Sequence, residues 1–277
     1  MDFIEILKAI LFGIVEGITE WLPISSTGHM IILDELVKLN VSDAFREMFL
    51  VVIQLGAILA VVVLYFKKLW PFSTKEKFFI KKDTFGMWFK ILAACIPAAI
   101  VGVFFDDKIN ELFYNYQTVA AMLIIFGVLF IVIENYNKGR KPVMNSIAEI
   151  TWKAAIGVGL FQLIAAVFPG TSRSGATILG GILLGMSRTT AAEFTFFLAV
   201  PVMAGASLLK LVKFGLAFSA SEAVILIVGM VVAFVVSIIV IKFLLNYIRR
   251  NDFKAFGWYR IVLGVIVLVY FIATAVA

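Results

Sequence analysis

Long apolar runs alternate with short polar ones along this chain. Six of the apolar runs lie near 45–66, 87–105, 117–135, 190–209, 221–245 and 257–276. At about 20 residues each, they are long enough to cross a bilayer core as helices. Two further segments, 3–40 and 152–187, are apolar as well, but Pro, Gly and polar residues break each one after a short run. Neither half of such a segment makes a comfortable crossing. Broken backbone at membrane depth persists only where protein buries it or it lines a wet cavity. Both segments therefore read as re-entrant helix–loop–helix hairpins. The expected fold is an all-α integral membrane protein, with six transmembrane helices plus two re-entrant helical hairpins in a single membrane domain over 1–277.

The polar islands inside the two hairpins resemble each other. The first runs from Gly13 through Glu16, Glu20 and Pro23 to Ser25-Ser26-Thr27-Gly28-His29; the second runs from Gly159 through Gln162 and Pro169 to Thr171-Ser172-Arg173-Ser174-Gly175. Aligned without a gap, Glu16 falls on Gln162, Pro23 on Pro169, Ser25 on Thr171, Ser26 on Ser172 and Glu47 on Glu193. The chain thus divides into a repeat over about 1–135 and a second over about 150–277. Ionisable and hydroxyl groups are costly in hydrocarbon, so their clustering there marks function. Two related clusters in two halves point to one site at the repeat interface.

Composition agrees with the pattern: 62% of residues are hydrophobic, 15% are charged, and the mean hydropathy of +1.06 lies outside the soluble range. The polar stretches 67–86 and 135–151 are too short to be domains. The net charge of +6 is concentrated in loops. Lys67, Lys68, Lys75, Lys77, Lys81 and Lys82 crowd one loop, Lys138, Arg140, Lys141 and Lys153 a second, and Arg249, Arg250 and Lys254 a third. The positive-inside rule places these loops in the cytoplasm. The run 45–66 then travels inward, so the first hairpin enters from outside and the second from the cytoplasm, which is an inverted-topology repeat with both chain ends external. Lys210 and Lys213 on the outer side run against that trend. The basic loops adjoin spans and lack interleaved aromatics, so they do not read as nucleic-acid sites. Cys95 is the sole cysteine, which excludes an internal disulfide and a thiolate metal cluster. No cleavable signal is expected, because Glu16 and Glu20 interrupt the first apolar stretch. Trp70, Trp88, Trp152 and Trp258 fall near span ends as interfacial anchors.

Glu16 and Glu20 share a helix face. Two carboxylates in a dry setting repel unless a proton or a cation lies between them. A hard divalent cation, Mg²⁺ or Ca²⁺, suits such oxygens and keeps positions for phosphate oxygens; pairing with Arg173 is the simpler use. His29, the only histidine, follows a hydroxyl-rich turn. Beside Ser26 it suits a base, an acid or a nucleophile, and a packed structural imidazole is the plainer reading. A relay of two histidines is ruled out. In Pro169–Thr177, Gly170 and Gly175 permit a tight turn whose N–H groups form an anion nest at a helix start. Arg173 adds a fork suited to phosphate, and the hydroxyls of Ser172, Ser174 and Thr177 add donors. The alternative is a capped helix start with a snorkelling arginine. Ser25, Thr27 and Thr171 complete the expected phosphate-binding set. Glu47 and Glu193 suit either capping or site support, and Glu134 reads as a solvated helix end.

The stretch from Glu16 to Glu20, the SSTGH run Ser25–His29 and the PGTSRSGAT run Pro169–Thr177 resemble the two signatures of the undecaprenyl-diphosphatase family, also called the bacitracin-resistance protein family. The signature positions match without departure, and the likeness spans essentially the whole chain. The resemblance implies a bacterial inner-membrane enzyme that removes the terminal phosphate of undecaprenyl diphosphate at the outer face. Such an enzyme recycles the lipid carrier of peptidoglycan synthesis and confers bacitracin resistance. It also implies Glu16, Glu20, Ser26, His29 and Arg173 as catalytic residues, with Thr27 and Ser172 in support.

The expected chemistry is cation-assisted hydrolysis of a polyprenyl diphosphate, with Glu16 and Glu20 as cation ligands and Ser26 attacking with His29 as its base. Direct attack by His29 and attack by water stay open, as does a homodimer. Two rivals belong to other classes. A flippase or secondary transporter uses the same inverted-repeat architecture, and a lipid kinase runs the chemistry backwards, although no P-loop is present.

Overall fold

The computed structural model describes residues 3–74, 79–215 and 218–276. The loop cations Lys75 and Lys77 lie outside the described residues. In chain order the helices are α1 (Phe3–Thr19), α2 (Ser26–Leu36), α3 (Asp43–Val52), α4 (Gln54–Leu64), α5 (Phe66–Leu69), α6 (Lys82–Phe113), α7 (Tyr116–Tyr136), α8 (Trp152–Val167), α9 (Arg173–Leu183), α10 (Arg188–Phe214), α11 (Ala220–Ile248) and α12 (Lys254–Val276). Among the described residues only two isolated β-bridges occur, Phe72 with Ile80 and Met144 with Met186. The helix starts are encoded locally. Ser42, Asn115, Thr151, Ser187 and Ser219 each accept a hydrogen bond from the N–H three residues on, which satisfies a donor that the helix cannot pair itself.

Six stretches are long and apolar enough to cross a membrane: Asp43–Leu64, Lys82–Phe105, Tyr116–Tyr136, Arg188–Phe214, Ala220–Ile248 and Lys254–Ala273. They coincide with the six runs read from sequence. Their outward faces carry side chains such as Phe104, Val103 and Ile239, each more than 60% exposed. A belt of this kind is an aggregation liability in water and the natural surface for lipid. The chain is a multi-pass membrane protein.

The hairpin helices are shorter. α1 and α8 have 17 and 16 residues, and α2 and α9 have 11 each. At about 1.5 Å per residue none reaches the ~30 Å of a hydrocarbon core. Their packing is exchanged between halves: α1 lies along α11, α8 lies along α6, and α7 pairs with α12. Small residues allow the close approach. A Cβ on Gly13 would stand 2.6 Å from the Gly229 carbonyl oxygen, and one on Gly159 would stand 2.5 Å from that of Ala94. Without a hydrophobic drive between helices in lipid, such contacts carry the association.

Three acids differ from, or narrow, the sequence expectation. Glu134 is not a solvated end residue. It is 1% exposed, accepts a 2.9 Å hydrogen bond from Arg188 Nε, and accepts another from the Phe253 N–H. A carboxylate so placed fastens α7, α10 and the start of α12 together. Glu193 pairs with Lys68 at 3.0 Å, and Glu47 is exposed on α3.

Candidate active site

The two polar islands fold into the same local device. In each, a serine with positive φ ends the loop and caps a helix: Ser25 (φ 74°) before α2 and Ser172 (φ 71°) before α9. Each serine Oγ accepts from the N–H of a glycine three residues on, Gly28 at 3.3 Å and Gly175 at 3.1 Å. Side chains rarely adopt this φ, and such outliers cluster at functional sites. The structural match therefore differs by one residue from the gapless alignment. Ser25 corresponds to Ser172, and Ser26 corresponds to Arg173. The extra residue in the second loop is Gly170, with φ 88°. A Cβ there would lie 2.5 Å from the Val119 carbonyl oxygen, so only glycine fits.

The loops meet. Arg173 Nη2 donates to Glu20 Oε1 at 2.6 Å, joining residues 153 positions apart. Ser26 Oγ donates to the other oxygen, Glu20 Oε2, at 2.7 Å. Arg173 Nη1 donates to the Thr195 carbonyl at 3.2 Å, and Ser174 Oγ donates to the Leu22 carbonyl at 3.4 Å. Glu16 sits one turn before Glu20 on α1, fully buried, close enough to Glu20 and Arg173 for both charges to act on it. Among the described residues neither of its carboxylate oxygens has a hydrogen-bond partner. Its repeat counterpart Gln162 is also buried, and among the described residues its amide oxygen and nitrogen have none either.

His29 lies on α2 one turn past Ser26 but does not bond to it. Its Nδ1–H donates to the Ser25 carbonyl at 2.7 Å, and its Nε2 faces the hydroxyl of Tyr259 at 2.7 Å. The expected Ser26–His29 pair is thus replaced by Ser26–Glu20, because the backbone carbonyl of Ser25 captures the nearer ring nitrogen. Not every expected phosphate donor is free. Thr177 Oγ donates back to the Arg173 carbonyl at 2.9 Å, within its own helix, and also accepts from Thr195 Oγ. Thr171 Oγ is buried and has no hydrogen-bond partner among the described residues. Ser172 Oγ is shared between capping Gly175 and Ser174 Oγ at 3.2 Å, and Thr27 is half-buried in the first turn of α2. The N–H groups of Ser26, Thr27, Arg173 and Ser174 lie in first helical turns, where no intrahelical acceptor exists. With the helix dipoles, the two starts offer positive potential beside one acid pair.

The sequence model of the bacitracin resistance protein BacA matches residues 9–266. The chain belongs to the BacA family. It is similar to an undecaprenyl-diphosphatase of Desulfitobacterium hafniense, 68% identical over 276 residues, which cover 100% of this chain and 99% of the relative. It is also similar to undecaprenyl-diphosphatase 1 of Clostridium acetobutylicum, 68% identical over 272 residues, covering 98% and 99%. An undecaprenyl-diphosphatase of Enterococcus faecalis is 60% identical over 270 residues, covering 97% and 98%.

For this BacA family member the structure adds a residue that the motifs did not reveal. Arg260 of α12 is fully buried and donates to the carbonyls of Pro23 (3.2 Å), Gly170 (3.0 Å), Thr171 (2.8 Å) and Met122 (3.3 Å). One guanidinium thus ties both loops to α7. A lone arginine inside an apolar run was the available signal, since intramembrane cations mark functional or structural centres.

Proposed function

We propose that this chain hydrolyses undecaprenyl diphosphate to undecaprenyl phosphate and inorganic phosphate at the outer face of the bacterial cell membrane. The reaction recycles the lipid carrier of peptidoglycan synthesis, and it underlies bacitracin resistance by depleting the drug's target. The names of the relatives support the substrate. The observation that carries the chemistry is the Arg173–Glu20 contact, which brings a phosphate-binding fork and an acid pair to one place. In this reading the two short hairpins enter the bilayer from opposite faces, and their tips meet at the diphosphate.

The buried oxygens of Glu16, without partners, fit a hard divalent cation. Among the described residues no cluster of three or more His, Cys, Asp or Glu is suited to a metal. Glu16 and Glu20 would hold the ion, with hydroxyls, water and substrate oxygens as its other ligands. Bound there, Mg²⁺ or Ca²⁺ would neutralise charge on the phosphoryl oxygens. Arg173, held extended by Glu20 and the Thr195 carbonyl, directs its remaining N–H groups to the diphosphate, and the first-turn N–H groups of α2 and α9 add to them.

Ser26 Oγ attacks the terminal phosphorus. Its proton passes to Glu20, the bridging P–O bond breaks, and undecaprenyl phosphate leaves. Water then attacks the phosphoserine while His29 Nε2 takes a proton from it. The P–Oγ bond breaks, Glu20 returns the proton to Ser26, and phosphate departs with the proton held by His29. Purified protein in detergent, without ATP, is expected to release phosphate, whereas a flippase or a kinase would not. Mass measurement on protein quenched during turnover is expected to find an acid-stable phosphoryl group on Ser26; an acid-labile group on His29 would reassign the nucleophile.

A further inference from the structure

The hydroxyl of Tyr259 has no place in the signatures, yet it meets the only imidazole of the chain. The Ser25 carbonyl can only accept, so Nδ1 of His29 carries the ring hydrogen and Nε2 carries the lone pair. Tyr259 O–H points at that lone pair from 2.7 Å, and the two rings lie 5.6 Å apart and nearly parallel, at 6°. The adjacent residue, Arg260, locks this turn of α12 onto both loops through the Pro23, Gly170 and Thr171 carbonyls. The phenol is therefore held in place by backbone that the site itself anchors.

We propose that Tyr259 acts through His29: with the Ser25 carbonyl it fixes one tautomer and one ring orientation, and its hydroxyl links the Nε2 lone pair to the attacking water. The inference rests on the hydrolytic reading above. A hydroxyl suits this task because it has one hydrogen and two lone pairs. It donates to the single Nε2 lone pair while the ring is neutral; as water attacks, the phenol oxygen takes the water proton while its own proton passes to Nε2, and it then accepts from Nε2–H. The same contact thus survives both halves of the transfer, which a carboxylate or a carbonyl in that place would not allow. Outer partners that orient an imidazole are typically worth 10- to 100-fold.

The test compares Tyr259→Phe, His29→Gln and the double variant for phosphate release from undecaprenyl diphosphate. His29 is the only histidine, so ¹⁵N spectra of its ring need no assignment. Tyr259→Phe keeps the ring contact and removes only the hydroxyl. It is expected to lower kcat about tenfold at unchanged KM and melting temperature, to move the Nε2 resonance toward that of an unbonded nitrogen, and to have no further effect on top of His29→Gln. Wild-type kcat with an unmoved Nε2 resonance would overturn the proposal while leaving the hydrolytic reading intact. Full activity of His29→Gln would instead remove the role of His29, and that of Tyr259 with it. A lowered melting temperature with kcat intact would reduce Tyr259 to a packing residue.

Discussion

The two loops share one backbone device and divide the chemistry between them. Both end in a serine at positive φ that caps an 11-residue helix, and both leave first-turn N–H groups free. The first loop carries the acids and the imidazole, while the second carries the cation. At the first helical position Ser26 stands in one and Arg173 in the other. On the preceding helices the first loop has a buried Glu16 where the second has a buried Gln162. A duplicated scaffold that binds anions symmetrically would gain nothing from a second acid pair, since two more buried carboxylates would repel the same substrate. On the mechanism proposed above, the asymmetry separates a side that handles protons and a cation from a side that binds phosphate.

Removing the cation side has the largest expected effect. Arg173→Ala is expected to lower phosphate release about 10²- to 10³-fold, as loss of a principal donor to developing charge does. It also leaves Glu20 buried without its counter-charge, at a cost of about 3–5 kcal/mol. Arg173→Ala with Glu20→Gln should regain stability in thermal melts but no activity. A double variant that recovers turnover would show that the pair merely holds the loops together.

The next contrast is Glu16 against Gln162. Glu16→Gln makes the first loop resemble the second. Activity is expected to fall about 100-fold through lost charge stabilisation, while stability holds or rises, because a buried carboxyl group beside the Glu20 carboxylate is replaced by a neutral amide. A chelator should bring the wild type down to the level of the variant and leave the variant unchanged. The reverse change, Gln162→Glu, buries a new carboxylate and should lower stability by at least about 1–3 kcal/mol.

Much of this arrangement was legible in the chain because it is written in local, contiguous signals. The six spans follow from run length, and each island announces itself as polar residues in an apolar setting. The meeting of Glu20 with Arg173 followed from matching one island to the other. What stayed hidden depends on long-range geometry. Arg260 sits near the start of its apolar run, outside both signatures, and only the fold brings its four carbonyl partners to it. Glu134 sits at a helix end beside a basic loop, and only the fold brings Arg188 to it. The Ser26–Glu20 bond could not be told from a Ser26–His29 bond by spacing, because the Ser25 carbonyl that captures His29 is a backbone group. The one-residue offset at Gly170 escaped because Pro23 and Pro169 align without a gap.

That offset leads to the third contrast. Gly170→Ala places a side chain at φ 88° and within 2.5 Å of the Val119 carbonyl oxygen. The expected loss is about 2–4 kcal/mol from the two strains combined. Melting of the purified variant measures it, and an unchanged melting temperature would mean that α7 and the second loop are not in contact. The first loop has no residue in this place, so it offers no equivalent lesion.

The smallest effects test whether the two capping serines are truly the same device. Ser25→Ala and Ser172→Ala each lose a cap worth about 1 kcal/mol and keep a Cβ at positive φ. Ser25→Gly and Ser172→Gly lose the cap but gain a backbone at ease there, so each should come within a few tenths of a kcal/mol of wild type. If both positions follow this order in stability, the local device is shared. Activity should then separate them. The Ser25 carbonyl holds Nδ1 of His29, so loosening the loop at Ser25 disturbs the ring as well as the helix start. Among the described residues the Ser172 carbonyl pairs with the Ala176 N–H of its own helix and with no side chain. Ser25→Gly is therefore expected to lose several-fold in kcat, and Ser172→Gly is expected to change KM alone. Identical kinetic losses at the two positions would mean that proton handling and phosphate binding are not divided between the loops.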